Sequence, residues 1–423
     1  MRISGSRLLI NALLGVVLLI GLFMNNNELY CTRIAIIVLS INIVALIWSK
    51  ESIYLTIIYF VFFYCNYSIL MVNYIFRINN YFTSYAYTDS GYTGLWIISL
   101  FSYLLLLYAS TVHEQKEIKK ALIINNRYNS FICIGLILLL IFIWIFGFTR
   151  PDLEGHRGSP STFYEYSIIL LIMGFYYSGS NEILQNTFVG IIAAYALQNF
   201  YYGGRITGVQ LIICVILCLY IDKIDMRVML VSGVAFFVLM SAIGQFRASL
   251  VLSKDILKTV ILRLIDERIA LDTAYSSYFT SLTFLMVKKD LGFSGVMRLF
   301  GRWILSMFLG GRVPDSNLAT YTRQYYLHYM GGVLPFFAYF YLGIIGIILL
   351  CIYIFRIFKG VEKVNYKSTG LSRCIAIYIT STSLRWYLYS PSQLFRGVLL
   401  LAVVYGSLYL VDHSFVIKKR LRA

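Results

Sequence analysis

Residues 333–354 read VLPFFAYFYLGIIGIILLCIYI, twenty-two consecutive positions without a charged side chain. A helix of that length spans about 33 Å, enough to cross a hydrocarbon core of about 30 Å. Further apolar runs lie near 8–24, 34–48, 53–76, 94–112, 130–148, 166–178, 187–202, 206–221, 228–244, 371–389 and 397–411. The chain is therefore read as all-α, a polytopic membrane protein of about twelve transmembrane helices forming a single membrane domain over 1–423. Composition agrees. The sequence is 59% hydrophobic and 13% charged, with mean hydropathy +0.76, whereas soluble domains carry about 25% charged residues. The run after Arg2 and Arg7 lacks a small-residue cleavage site in Asn25-Asn26-Asn27-Glu28 and is read as a retained first span.

The seven cysteines stand singly, mostly inside apolar runs, with no C-x-x-C spacing, so neither a disulfide framework nor a metal centre is expected. In a soluble protein the formal charge of +17 would point to nucleic acid; here its placement is topological. With the amino terminus cytoplasmic, eighteen Lys and Arg fall in inside segments and seven in short outside segments, with both termini inside. All seven of the latter are arginine: Arg33, Arg77, Arg150, Arg157, Arg205, Arg385 and Arg396. Topology does not require that choice. Guanidinium groups stay charged and bind phosphate or carboxylate in a bidentate fork, so an outward Arg-rich cavity suits an anionic ligand. No internal repeat is evident, which counts against a transporter built from related halves.

The remaining eleven cations lie in one long outside loop, residues 245–332, inserted between the ninth and tenth spans. Apolar Ile256, Leu257, Val260, Ile261, Leu264 and Ile265 recur at helical spacing and predict an amphipathic helix over 254–270. A second, interfacial helix is expected over 293–309, with Arg298 and Arg302 one turn apart beside Trp303 and Phe308. The nearly uncharged stretch Tyr275 to Val287 between them is expected to dip towards the bilayer. Next come the turn-rich segment carrying Arg312 and Asp315, and an aromatic cluster with Arg323, Tyr325, Tyr326, His328 and Tyr329. These aromatics suit either an interfacial belt or stacking on sugar faces, as does Tyr202 near Arg205.

Nucleotide-binding loops, hydrolase elbows and zinc-protease motifs are missing from the sequence. A reaction on the outside needs a substrate that is already activated, and lipid diphosphates meet that need. Arginines that bind the diphosphate would stabilise it as a leaving group, so no metal and no cofactor is called for. A base must assist the attacking sugar hydroxyl. The candidates are His328, Asp315, Glu154 and Glu165, with His328 and Asp315 placed first.

The junction Gly203-Gly204-Arg205 with Gln210, the exit Gly244-Gln245-Phe246-Arg247, and the run Gly331-Gly332-Val333-Leu334-Pro335 through Tyr341-Leu342-Gly343-Ile344-Ile345-Gly346 resemble the Wzy-type polymerases of O-antigen and capsule repeat units. So does Arg385-Trp386-Tyr387 to Pro391 with Arg396-Gly397, and the motifs follow the family's order from residue 199 onward. The resemblance implies an integral-membrane glycosyltransferase on the outer face of the bacterial cytoplasmic membrane. It would join undecaprenyl-diphosphate-linked oligosaccharides, with a chain-length regulator membrane protein as a further partner beside the lipid bilayer. It maps diphosphate binding onto Arg205 and Arg247, then Arg312, Arg385 and Arg396. Tyr325, Tyr326 and Tyr202 are the expected glycan contacts. One departure is plain: Phe336 follows Pro335 where the family often has serine, and Tyr339 stands near the place of a family glutamate. The competing readings are an O-antigen ligase and a lipid-linked oligosaccharide flippase. On the polymerase reading, Arg312, Tyr325 and His328 of a membrane-hugging lid face a cavity bounded by Arg205, Arg247, Arg385 and Arg396.

Overall fold

The computed structural model describes residues 5–23, 28–78, 83–112, 127–150, 158–202, 204–224, separate helical residues between 228 and 242, 256–266, 268–328, 331–364 and 370–420. The described chain is almost wholly helical. Its helices are α1 (Gly5–Phe23), α2 (Glu28–Trp48), α3 (Ile53–Leu70), α4 (Asp89–Ala109), α5 (Ser130–Phe146), α6 (Thr162–Ser178), α7 (Glu182–Tyr201), α8 (Arg205–Leu219), α9 (Ile256–Asp266), α10 (Asp272–Leu309), α11 (Leu318–Thr322), α12 (Leu334–Glu362), α13 (Gly370–Ser381), α14 (Ser383–Leu388) and α15 (Ser392–Arg420). A two-residue antiparallel pair, Phe148–Thr149 with Ser159–Pro160, closes the α5–α6 connection. Several helices start on the expected chemistry. Thr88, Asn129, Ser161 and Asn181 each cap a first turn by accepting a backbone N–H.

Among the described residues, five helical segments are long and apolar enough to cross a membrane: Glu28–Glu51, Ile53–Ile75, Asp89–Ala109, Leu334–Glu362 and Ser392–Ser414. The outward faces match that solvent. On α12, Ile344, Ile345, Ile348, Leu349 and Ile352 are exposed at helical spacing, and on α5 so are Phe131, Ile134, Leu138, Phe142 and Ile145. Continuous apolar stripes of this extent are a liability in water, whereas lipid tails solvate them. The protein is membrane-embedded.

One group of polar side chains inside the bundle is paired into a network, as a dry interior favours. Asn66 of α3 donates to Asn42 of α2 at 3.0 Å, and Tyr387 of α14 donates to Asn66 Oδ1 at 2.8 Å. Ser102 of α4 takes Asn42 Nδ2 at 3.2 Å. This network joins the short α14 to α3, and through Asn66 to α2 and α4, two residues from Arg385.

The long outside segment of the sequence reading is largely helical where it is described. The amphipathic stretch expected over 254–270 forms α9. The second expected helix, 293–309, is the latter half of α10, whose axis breaks at Gly292 (φ 63°, ψ 176°). In the first half, Tyr275, Tyr278, Phe279, Leu282, Phe284, Leu285 and Val287 are buried, in contact with α3, α4 and α12. Tyr278 Oη meets Tyr74 Oη at 2.5 Å, and Phe284 packs edge-on to Phe337. The apolar run expected over 371–389 is divided at Thr382 into α13 and α14. The run over 228–244 is described only in part, and Arg247 and Glu154 lie outside the described residues.

Candidate functional site

Three of the expected arginines lie on adjoining helices. The chain reverses after α7, and Gly204 precedes α8, whose first residue is Arg205. Its buried guanidinium donates from Nη2 to both Asp272 oxygens at 2.7 Å and from Nη1 to the Met240 carbonyl at 3.1 Å. Asp272 opens α10, where the partial positive charge of a helix N-terminus favours a carboxylate. Half a turn along α8, Thr207 Oγ1 accepts from Arg385 Nη1 at 3.3 Å. Arg385 Nη2 also ion-pairs with Glu165 near the start of α6. The next residue, Tyr166, presents its ring to the guanidinium of Arg396, 5.5 Å from the centroid.

Arg205, Arg385 and Arg396 thus come from three helices, α8, α14 and α15, and are linked through Thr207, Glu165 and Tyr166. Three guanidinium groups face two carboxylates, which leaves an excess positive charge. Arg385 Nε is buried without a hydrogen-bond partner among the described residues. Arg396 has no carboxylate partner among them.

The segment after α9 is tied to these helix ends at three points. Asp272 holds Arg205. At Gly310 (φ 72°) the end of α10 passes so close to Arg396 that an added Cβ would sit 3.0 Å from Nη2. Gly332 N–H donates to the Leu388 carbonyl of α14 at 2.9 Å. Arg312 lies two residues beyond Gly310, exposed and without an ion pair among the described residues.

Of the expected base candidates Glu165 lies in the cluster, whereas the two placed first, His328 and Asp315, lie elsewhere. His328 is 4% exposed, its ring nitrogens 3.4 Å from Thr280 Oγ1 and 3.0 Å from Thr322 Oγ1. Burial, with the charge of Arg323, lowers its pKa from 6.5 to about 4, so the ring is neutral near pH 7. Asp315 pairs with Arg302 at 2.5 Å. Neither contacts Arg205, Arg385 or Arg396 among the described residues. Tyr325 is exposed, its hydroxyl 3.3 Å from that of Tyr321, and Tyr326 is half-buried. Tyr202 packs on Phe148 beneath the short hairpin.

Sequence reasoning missed Asp272, which follows an amphipathic helix without any motif to mark it. It weighed Glu165 only as a base, because 220 residues separate it from Arg385. No family model, curated protein or solved structure matches this chain.

Proposed function

We propose that this chain polymerises undecaprenyl-diphosphate-linked oligosaccharide repeat units into O-antigen or capsular polysaccharide on the outer face of the bacterial cytoplasmic membrane. The observation that carries the reading is the placing of Arg385 and Arg396 against the adjacent Glu165 and Tyr166, with Arg205 on the adjoining helix α8 and only two carboxylates paired to the three among the described residues. Such a cluster suits a diphosphate, and in a low-dielectric setting fixed guanidinium groups stabilise the charge that develops on it as it leaves. On this reading no divalent cation is required.

The chemistry is a displacement at the anomeric carbon. A hydroxyl of the acceptor repeat forms the new C–O bond, and the bond to the diphosphate breaks with its electron pair leaving on the phosphate oxygen. The hydroxyl proton goes to a base. Glu165 is the carboxylate within the cluster: an incoming diphosphate competes for Arg385, and a Glu165 freed from that pair can accept the proton. Both termini are cytoplasmic on this reading, and a chain-length regulator membrane protein is the further partner.

Deletion of the gene followed by analysis of surface glycan tests the proposal. The expected result is glycan capped with single repeats, or accumulated lipid-linked single repeats. Polymer of normal length overturns it. Lipid-linked repeats retained on the cytoplasmic face would instead assign a flippase, and free lipid-linked polymer a ligase.

A further inference from the structure

The hydrogen-bonding capacity of the arginine cluster is unevenly used. Arg205 is committed to protein partners, with Asp272 taking Nη2 through both oxygens and the Met240 carbonyl taking Nη1. Arg385 has Thr207 on Nη1 and Glu165 on Nη2, yet its buried Nε–H is unfilled among the described residues. A second unfilled donor stands close by. Gln210 is 2% exposed, and its buried Nε2 has no hydrogen-bond partner among the described residues.

Thr207, Gln210 and Cys214 fall at i, i+3 and i+7 on one face of α8. At one end of that face Thr207 meets Arg385 of α14; at the other Cys214 lies within electrostatic range of Cys374 of α13. Gln210 therefore sits in the seam between α8, α13 and α14, one turn inward from the Thr207–Arg385 contact. Leaving a buried donor unsatisfied costs about 1–3 kcal/mol. Both unfilled groups are N–H donors, so the occupant that satisfies them must supply oxygen acceptors, and the guanidinium groups beside it select an anion.

We infer that Gln210 is a ligand-contacting residue: with Arg385 and Arg396 it forms the subsite for a phosphate-class oxyanion, while Arg205 is a structural strut bound to Asp272. The inference rests on the arginine cluster being an anion site, and it moves ligand contact from Arg205 to the α8–α14 seam.

The test uses the full-length chain in detergent with inorganic pyrophosphate as the probe, affinity being read by calorimetry and apo stability by thermal unfolding. Gln210→Leu keeps the volume and removes the donor. It should weaken pyrophosphate binding about tenfold or more, the worth of one hydrogen bond to a charged group, without lowering the apo unfolding midpoint. Gln210→Glu, which sets a carboxylate against the anion, should weaken binding further. If Gln210→Leu binds as the wild type does while Arg385→Gln and Arg396→Gln lose binding, the inference fails and the anion site stands. A fall in the apo midpoint of Gln210→Leu together with lost binding would assign Gln210 a structural role and also overturn it. If the wild type does not bind pyrophosphate, or no variant weakens binding, the anion-site reading falls and the inference with it.

Discussion

Replacing Asp272 with alanine should destabilise the protein more than replacing Arg205 with methionine, although both changes break the same ion pair. The Arg205 side chain is 7% exposed and that of Asp272 is 38% exposed. Without Asp272 the buried guanidinium keeps, among the described residues, the Met240 carbonyl at 3.1 Å and the Thr273 hydroxyl at 3.5 Å. Removing one partner of a fully buried pair costs about 3–5 kcal/mol; solvent access on the Asp272 side reduces that here to about 2–3 kcal/mol. Arg205→Met leaves a carboxylate that water reaches, that accepts the Thr273 N–H at 2.6 Å, and that stands at the first turn of α10. Its cost should be about 1 kcal/mol. The double variant should resemble Arg205→Met alone. Thermal unfolding in detergent, followed by tryptophan fluorescence under one set of conditions, ranks the four proteins. An Arg205→Met midpoint as low as that of Asp272→Ala would refute the reasoning.

His328 should leave a mark on acid stability. The folded chain keeps the ring neutral down to about pH 4, whereas an unfolded chain takes up the proton near 6.5. Its contribution is therefore intact above about pH 6.5 and is lost as the pH falls towards 4. The midpoint gap between wild type and His328→Gln should narrow over that interval, and parallel curves would contradict the assignment. Gly343 breaks α12 at φ 63° and ψ −145°, with no heavy atom within 4 Å of an added Cβ. Gly343→Ala should still cost about 1–3 kcal/mol through backbone strain alone. Gly406→Ala in α15, equally free of neighbours, should be neutral or mildly stabilising. Equal unfolding midpoints for the two glycine variants would remove backbone strain as the cause.

Much of the helical layout was legible because lipid solvates apolar side chains directly, so long uncharged runs such as Val333 to Ile354 mark helices without reference to the rest of the chain. The break at Thr382 was not legible, since an apolar run carries no record of where its backbone changes direction. The burial of α10 was only half legible. Its first half mixes Tyr, Ser and Thr with Phe and Leu, which reads as interfacial until α3, α4 and α12 are seen packed around it. At the candidate site, Arg205, Arg385 and Arg396 were legible as charges where charge is expensive. Their partners were not, because pairs such as Arg205–Asp272 and Arg385–Glu165 are made by tertiary packing and leave no local spacing. His328, the one histidine of the long segment, and Asp315 in its turn-rich stretch drew attention as candidate bases, and the structure sets them against Thr280, Thr322 and Arg302.

The most direct test of the account is to supply the purified full-length chain, in lipid vesicles, with undecaprenyl-diphosphate-linked single repeats and to resolve the products by size, beside Arg385→Gln as a control. A ladder of lengthened lipid-linked glycans with the wild type, absent with Arg385→Gln, is the result the account predicts. Single repeats left unextended by a folded wild-type chain would contradict it.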